Sequence, residues 1–210
     1  MSEARRNSVT QLAELYNVVI GIALSVAIYN LIDVSARPAP VNWGNLFGFA
    51  VLLVTIIPFY HGAVRHLYIT YVEGGGSSRI KSGALLADFV LLFVEGCLFV
   101  ALAILLVDPV VLVYGYISLL VLDSVWGFLA KLAFTGAAAQ AAERKWAIIN
   151  VVTVAVIFVL LAYVFEQGNG DFGFFAKMAI FSIALLRTIA DYSWCWSFYY
   201  PPEVDVPNET

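Results

Sequence analysis

The sequence predicts an all-α polytopic membrane protein, a bundle of six transmembrane helices. Hydrophobic residues make up 62% of the chain and charged ones only 12%, at a mean hydropathy of +0.89, far from the balance of a soluble globular domain. Six apolar runs approach the roughly 20 residues that a spanning helix needs. Clusters of turn-forming residues separate them. The alternating apolar and polar decapeptides of a membrane β-barrel are missing from the sequence.

In order, the helices are placed at about 15–32, 46–67, 84–107, 110–134, 147–165 and 174–198, in a single transmembrane domain over 1–200. The first run lacks a small-residue cleavage site and is read as a retained helix. Arg37-Pro38-Ala39-Pro40 ends it, and Gly74-Gly75-Gly76-Ser77-Ser78 separates the second helix from the third. Asp108-Pro109 divides the third from the fourth, and Gly168-Asn169-Gly170-Asp171 the fifth from the sixth. The Ala-rich connection at 135–145 is expected to extend the fourth helix or to lie along the membrane interface. The polar, acidic, proline-bearing tail at 201–210 is expected to be disordered.

Lys and Arg distribution sets the orientation. With the N-terminus inside, Arg5, Arg6, Arg79, Lys81, Lys131, Arg144 and Lys145 flank the cytoplasmic ends, against mainly Arg37 and Lys177 outside. Both termini are then cytoplasmic, in a bacterial plasma (inner) membrane. Trp43, Trp146, Trp194, Trp196, Tyr199 and Tyr200 fall at segment ends, where amphipathic rings favour the headgroup level. The net charge of −4 says little about partners, and the lack of any basic run points away from nucleic acid. Cys97 and Cys195, with no CxxC or Cys/His spacing, read as small buried side chains.

Ionisable residues inside the apolar segments are the sequence's main functional signal. A charge at the centre of a spanning helix costs about 2.5–3.5 kcal/mol on the lenient insertion scale, so such residues face the bundle interior, pair, or line water. His61, Arg65, Asp88, Glu95, Asp123, Arg187 and Asp191 form this set. From the helical rise, His61, Asp123 and Arg187 lie roughly 20 Å from the outer end, and Glu95 about 17 Å from the inner one. They make a polar layer in the inner leaflet. His61, Arg65 and Tyr68 share one stripe, from which His66 is turned by about 100°; Asp88 and Glu95 share another, and Arg187 and Asp191 a third. Two readings stand: a structural salt-bridge network, or an ion or proton pathway with Glu95 as the foremost candidate. An enzyme is not expected. His61 and His66 do not share a helix face as the pair in HExxH does, and GxSxG and Gly-rich phosphate loops are absent from the sequence. No metal or other cofactor is implied.

Leu15-Tyr16-Asn17 followed by Ile22-Ala23-Leu24-Ser25 resembles the first helix of the six-helix bacterial relatives of the lysosomal potassium channel, a family without a selectivity-filter loop. There a Phe-Ser-Asp precedes an Ile-Ala-Ile-Thr-like run. His61 falls near the family's histidine pair, with Gly62 at the second position. The resemblance covers two helices. It implies a hydrophobic constriction at Ile22, with Ser25 and Tyr29 continuing the same stripe, and a homotetramer around the axis. Constrictions of this kind gate by dewetting. Gly21 and Ser25, four apart, also give a small-xxx-small spacing that lets helices approach closely, within the chain or between protomers.

The function expected is an oligomeric cation channel, potassium being the ion the resemblance implies, with membrane lipid as its surroundings. The alternative is a non-conducting sensor or scaffold subunit of a bacterial multi-component system, including defence systems, that docks a soluble cytoplasmic partner. A proton-coupled transporter is less favoured, because no internal repeat pairs interrupted helices in two halves.

Overall fold

A computed structural model describes residues 3–32, 40–73, 83–133, 137–166 and 173–201. The helices are α1 (Glu3–Leu31), α2 (Leu46–Tyr68), α3 (Ala84–Leu105), α4 (Pro109–Ala133), α5 (Ala137–Glu166), α6 (Phe174–Trp194) and the single turn α7 (Trp196–Tyr199). A π turn, Ile69–Glu73, continues α2. Five of them are long and apolar enough to cross a membrane; α6 falls outside that group because Lys177, Arg187 and Asp191 interrupt its apolar run. The all-α membrane class holds among the described residues, with five qualifying helices where the sequence predicts six. The Gly74–Ser78 turn, the Arg37–Pro40 run up to Ala39, Arg79, Lys81, the Gly168–Asp171 turn and the tail from 202 onward lie outside the described residues.

Two boundaries differ from the sequence reading. α1 begins at Glu3, about three turns before its apolar run, and buries Val9, Leu12 and Ala13 on one face. From Ala137 on, the Ala-rich connection belongs to α5, and α4 is described to Ala133. Alanine has the highest helix propensity of any residue, so this stretch joins whichever helix packing favours, and Ala142, Glu143 and Ala147 pack inward on the α5 side.

The helices run alternately up and down. Asn30 Nδ2 donates to Ala103 O at 2.9 Å and Asn45 Nδ2 to Asn30 O at 2.7 Å, so the ends of α1 and α3 meet the start of α2. At the opposite end the beginnings of α1, α3 and α5 meet the ends of α2, α4 and α6. Local chemistry explains the breaks. Asp108 Oδ1 accepts from the backbone N–H of Val110 (2.9 Å) and Val111 (3.2 Å), capping α4, with Pro109 in the first turn where its missing N–H is harmless. Pro58 within α2 cannot donate to Val54 O. Thr188 of α6 satisfies that carbonyl at 3.1 Å, as a membrane interior requires.

Glycine sets how closely the helices approach. A Cβ on Gly21 meets nothing within 4 Å among the described residues, so of the two contacts that the Gly21 and Ser25 spacing allows, the one between protomers is left open. A Cβ on Gly127 would stand 2.8 Å from Glu143 O and 3.0 Å from Ala147 Cβ, and one on Gly96 2.7 Å from Val19 Cγ1. α4 therefore packs directly on the start of α5, and α3 on α1. Gly127→Val should push α5 away at a cost of about 1–3 kcal/mol, the usual range for overpacking. Gly21→Ala, in open space, should be neutral or gain up to ~1 kcal/mol. Thermal unfolding of the two variants in detergent checks the contrast.

Candidate functional site: a charged cavity inside the bundle

At the end where α1 begins, α2, α3, α4, α5 and α6 enclose a cavity of ≈ 50 Å³. Its wall combines apolar residues, among them Pro58, Leu91 and Leu92, with two ionic groups.

The first group centres on His66. Its Nε2 lies 3.1 Å from Asp88 Oδ2 and its Nδ1 2.9 Å from Glu143 Oε1. Each nitrogen faces a carboxylate oxygen. Nε2 hydrogen-bonds Asp88 Oδ2, while the Nδ1–Glu143 contact has ion-pair distance without hydrogen-bond alignment, so a ring protonated at both positions would stand as an imidazolium between two carboxylates. All three residues are buried. The π turn after α2 brings Tyr71 inward, where its hydroxyl donates to Asp88 Oδ2 at 2.6 Å. Among the described residues Asp88 Oδ1 and both carboxyl oxygens of Glu143 are buried without a hydrogen-bond partner.

Arg187 organises the second group. Its Nε donates to Asn150 Oδ1 at 3.0 Å, Nη1 lies 3.4 Å from Asp191 Oδ2, and the guanidinium sits 4.5 Å above the Phe59 ring. Asn150 passes the polarity on, donating from Nδ2 to Asp123 Oδ2 at 2.5 Å. Asp191 Oδ1 accepts from Trp146 Nε1 at 2.8 Å and Tyr199 Oη at 2.9 Å. Glu95 is buried between the groups and faces Tyr16 of α1; among the described residues no cation lies within ion-pair distance of it.

Five of the seven sequence-predicted network residues meet here: Asp88, Glu95, Asp123, Arg187 and Asp191. His61 and Arg65 do not line the cavity. His61 is half-buried among aromatic rings, its Nδ1 3.1 Å from Tyr192 Oη and its ring 4.7 Å from Tyr199, and Arg65 Nε donates to Phe198 O at 3.1 Å. The stripe of α2 carrying them faces the end of α6 and α7. The inward stripe is Val51, Thr55, Phe59, Gly62 and His66. Glu143, Asn150 and Trp146 were not among the expected site residues. Glu143 falls in the connection read as lying outside the bundle, and Asn150 carries no charge to attract notice. Trp146 and Tyr199 turn inward to Asp191, whereas Trp43, Trp194, Trp196 and Tyr200 are exposed as headgroup-level rings are expected to be. Cys195 is buried, but Cys97 is on the outer surface.

Ile22, Ser25 and Tyr29 all point away from the chain's own core, Ile22 at 48% and Tyr29 at 62% exposure. The Ser25 hydroxyl donates to Gly21 O at 2.8 Å. No protein-family model, curated protein or solved structure matches the chain.

Replacing His66 leaves two buried carboxylates facing each other without a cation. His66→Asn should therefore cost about 3–5 kcal/mol, the range for breaking a buried ion pair from one side. Neutralising both carboxylates as well, by Asp88→Asn and Glu143→Gln, should recover part of that loss. Thermal denaturation of the single and triple variants in detergent reads both effects.

Proposed function

We propose that the protein is an oligomeric cation channel in which six-span protomers surround an axis lined by α1. The observation that carries this reading is the outer face of α1, where Asn17, Gly21, Ile22, Ser25 and Tyr29 are exposed and unused by the rest of the chain. Asparagine, glycine and serine are poor choices for contact with lipid alone, but suit close helix packing or a pore wall. In this reading Ile22 forms the hydrophobic constriction, and Ser25 and Tyr29 line the passage beside it.

α6 serves as the sixth span, because its charges at Arg187 and Asp191 are buried while Leu185, Leu186 and Ile189 face outward. Both termini are then cytoplasmic, and the charged cavity lies in the inner leaflet of a bacterial plasma membrane. Its carboxylates outnumber its cations, which favours cations over anions near that mouth. The resemblance of the first helix to the bacterial relatives of the lysosomal potassium channel supports a tetramer and potassium as the ion.

Two measurements test the channel. In proteoliposomes under a potassium gradient, Ile22→Ala should pass ions several-fold faster than the natural protein, since a smaller side chain keeps a constriction wet. In a Cys97→Ala background, Ser25→Cys should form disulfide-linked dimers on mild oxidation. Silence from both proteins together with no cross-link would favour the non-conducting subunit, docked on a soluble partner through Arg144 at the exposed side of α5.

A further inference from the structure

We propose that the cavity inside each protomer is a proton-binding site, with Glu95 and Asp123 as the carboxyl groups that hold the protons at neutral pH. The inference stands on the interior of a single protomer and does not depend on conduction along α1.

Charge balance comes first. Asp88, Glu95, Asp123, Glu143 and Asp191 line the cavity against Arg187 and His66, so five carboxylates face two cations and a fully ionised wall carries three surplus negative charges. At membrane depth such a surplus is strongly disfavoured unless protons or other cations neutralise it. The geometry distributes the paired charges unevenly. Asp88 and Glu143 share His66, and Asp191 is held by Arg187, whereas Glu95 and Asp123 have no ion pair of their own among the described residues. Asp123 instead accepts from the neutral amide of Asn150.

Among the described residues, other groups around the cavity do not remove the surplus. From α1 only the neutral Tyr16 faces Glu95, and its buried hydroxyl has no well-formed hydrogen bond. From the π turn and α7 come the hydroxyls of Tyr71 and Tyr199, both donating to carboxylates already paired with a cation. His61 lies outside the cavity wall, and Lys145 Nζ is directed to Trp194 O at 2.8 Å.

Protons fit better than a metal ion. Among the described residues no three His, Cys, Asp or Glu side chains converge as a metal needs. The space does suit water: ≈ 50 Å³ admits a few molecules at roughly 10–15 Å³ each. Asp88 Oδ1 and Glu143 Oε2, both on residues at most 2% exposed, are acceptors without a partner among the described residues that such water satisfies. The chemical step is the transfer of a proton from hydronium to a carboxylate oxygen, giving a neutral acid and releasing a water molecule.

Infrared spectroscopy of the full chain in liposomes at neutral pH tests this, by the carbonyl band of protonated carboxyl groups and its shift in heavy water. The natural protein should show that band. Glu95→Gln and Asp123→Asn should each lose about half of it, and the double variant should lose it altogether. Glu95→Gln, which mimics the protonated acid, should melt close to the natural protein, so misfolding does not obscure the result. A natural protein without the band, or a band that survives in the double variant, overturns the assignment. A band that sodium or potassium chloride removes at fixed pH overturns it in favour of a metal cation.

Discussion

The meeting of α2, α3 and α5 at the charged end depends on one side chain, His66, held between Asp88 and Glu143. The three residues belong to three different helices, so a single ring ties them together, with Tyr71 adding a second bond to Asp88. In a membrane that tie matters more than it would in water, because lipid offers the helices an apolar environment as favourable as their neighbours. The contact requires α5 to lie against α4 at Gly127, where a side chain would collide with Glu143 O. A glycine on one helix thus determines whether a carboxylate on another can reach its partner.

The second constraint is satisfaction of polar groups that water cannot reach. Asn150 is the clearest case: wholly buried, it accepts from Arg187 and donates to Asp123, so that one amide serves a cation and an acid at once. Thr188 does the same for the backbone, filling the carbonyl that Pro58 leaves open. Among the described residues, satisfaction stops at Asp88 Oδ1, both oxygens of Glu143, Arg187 Nη1 and the hydroxyls of Tyr16 and Tyr116. Most of these lie at the charged cavity, where we propose that protons are held, whereas Ile22, Ser25 and Tyr29 are exposed on the outer face of α1, where we propose that a second copy packs.

Much of this was legible in the sequence, for identifiable reasons. The helices and the Asp108-Pro109 break follow from hydropathy and capping chemistry, and Arg187 and Asp191 meet because four residues make about one turn. Rotational phase along α2 was less legible. His61 and His66 differ by about 140° around the helix, and a mostly apolar helix gives little polar contrast to say which side is inward. Glu143 was missed because charge in an alanine-rich stretch looks like a solvated loop, although alanine is neutral about which helix it joins. Asn150 lacked any signal beyond being an amide in an apolar run.

The most direct test of the account is the state of the His66 ring itself. Nitrogen-15 NMR of histidine-labelled protein in bilayers, in a His61→Gln background so that one histidine remains, reports whether each ring nitrogen carries a proton. The account predicts an imidazolium protonated at both positions at neutral pH. A neutral ring with one bare nitrogen would contradict it, because the tie between α2, α3 and α5 would then not be ionic.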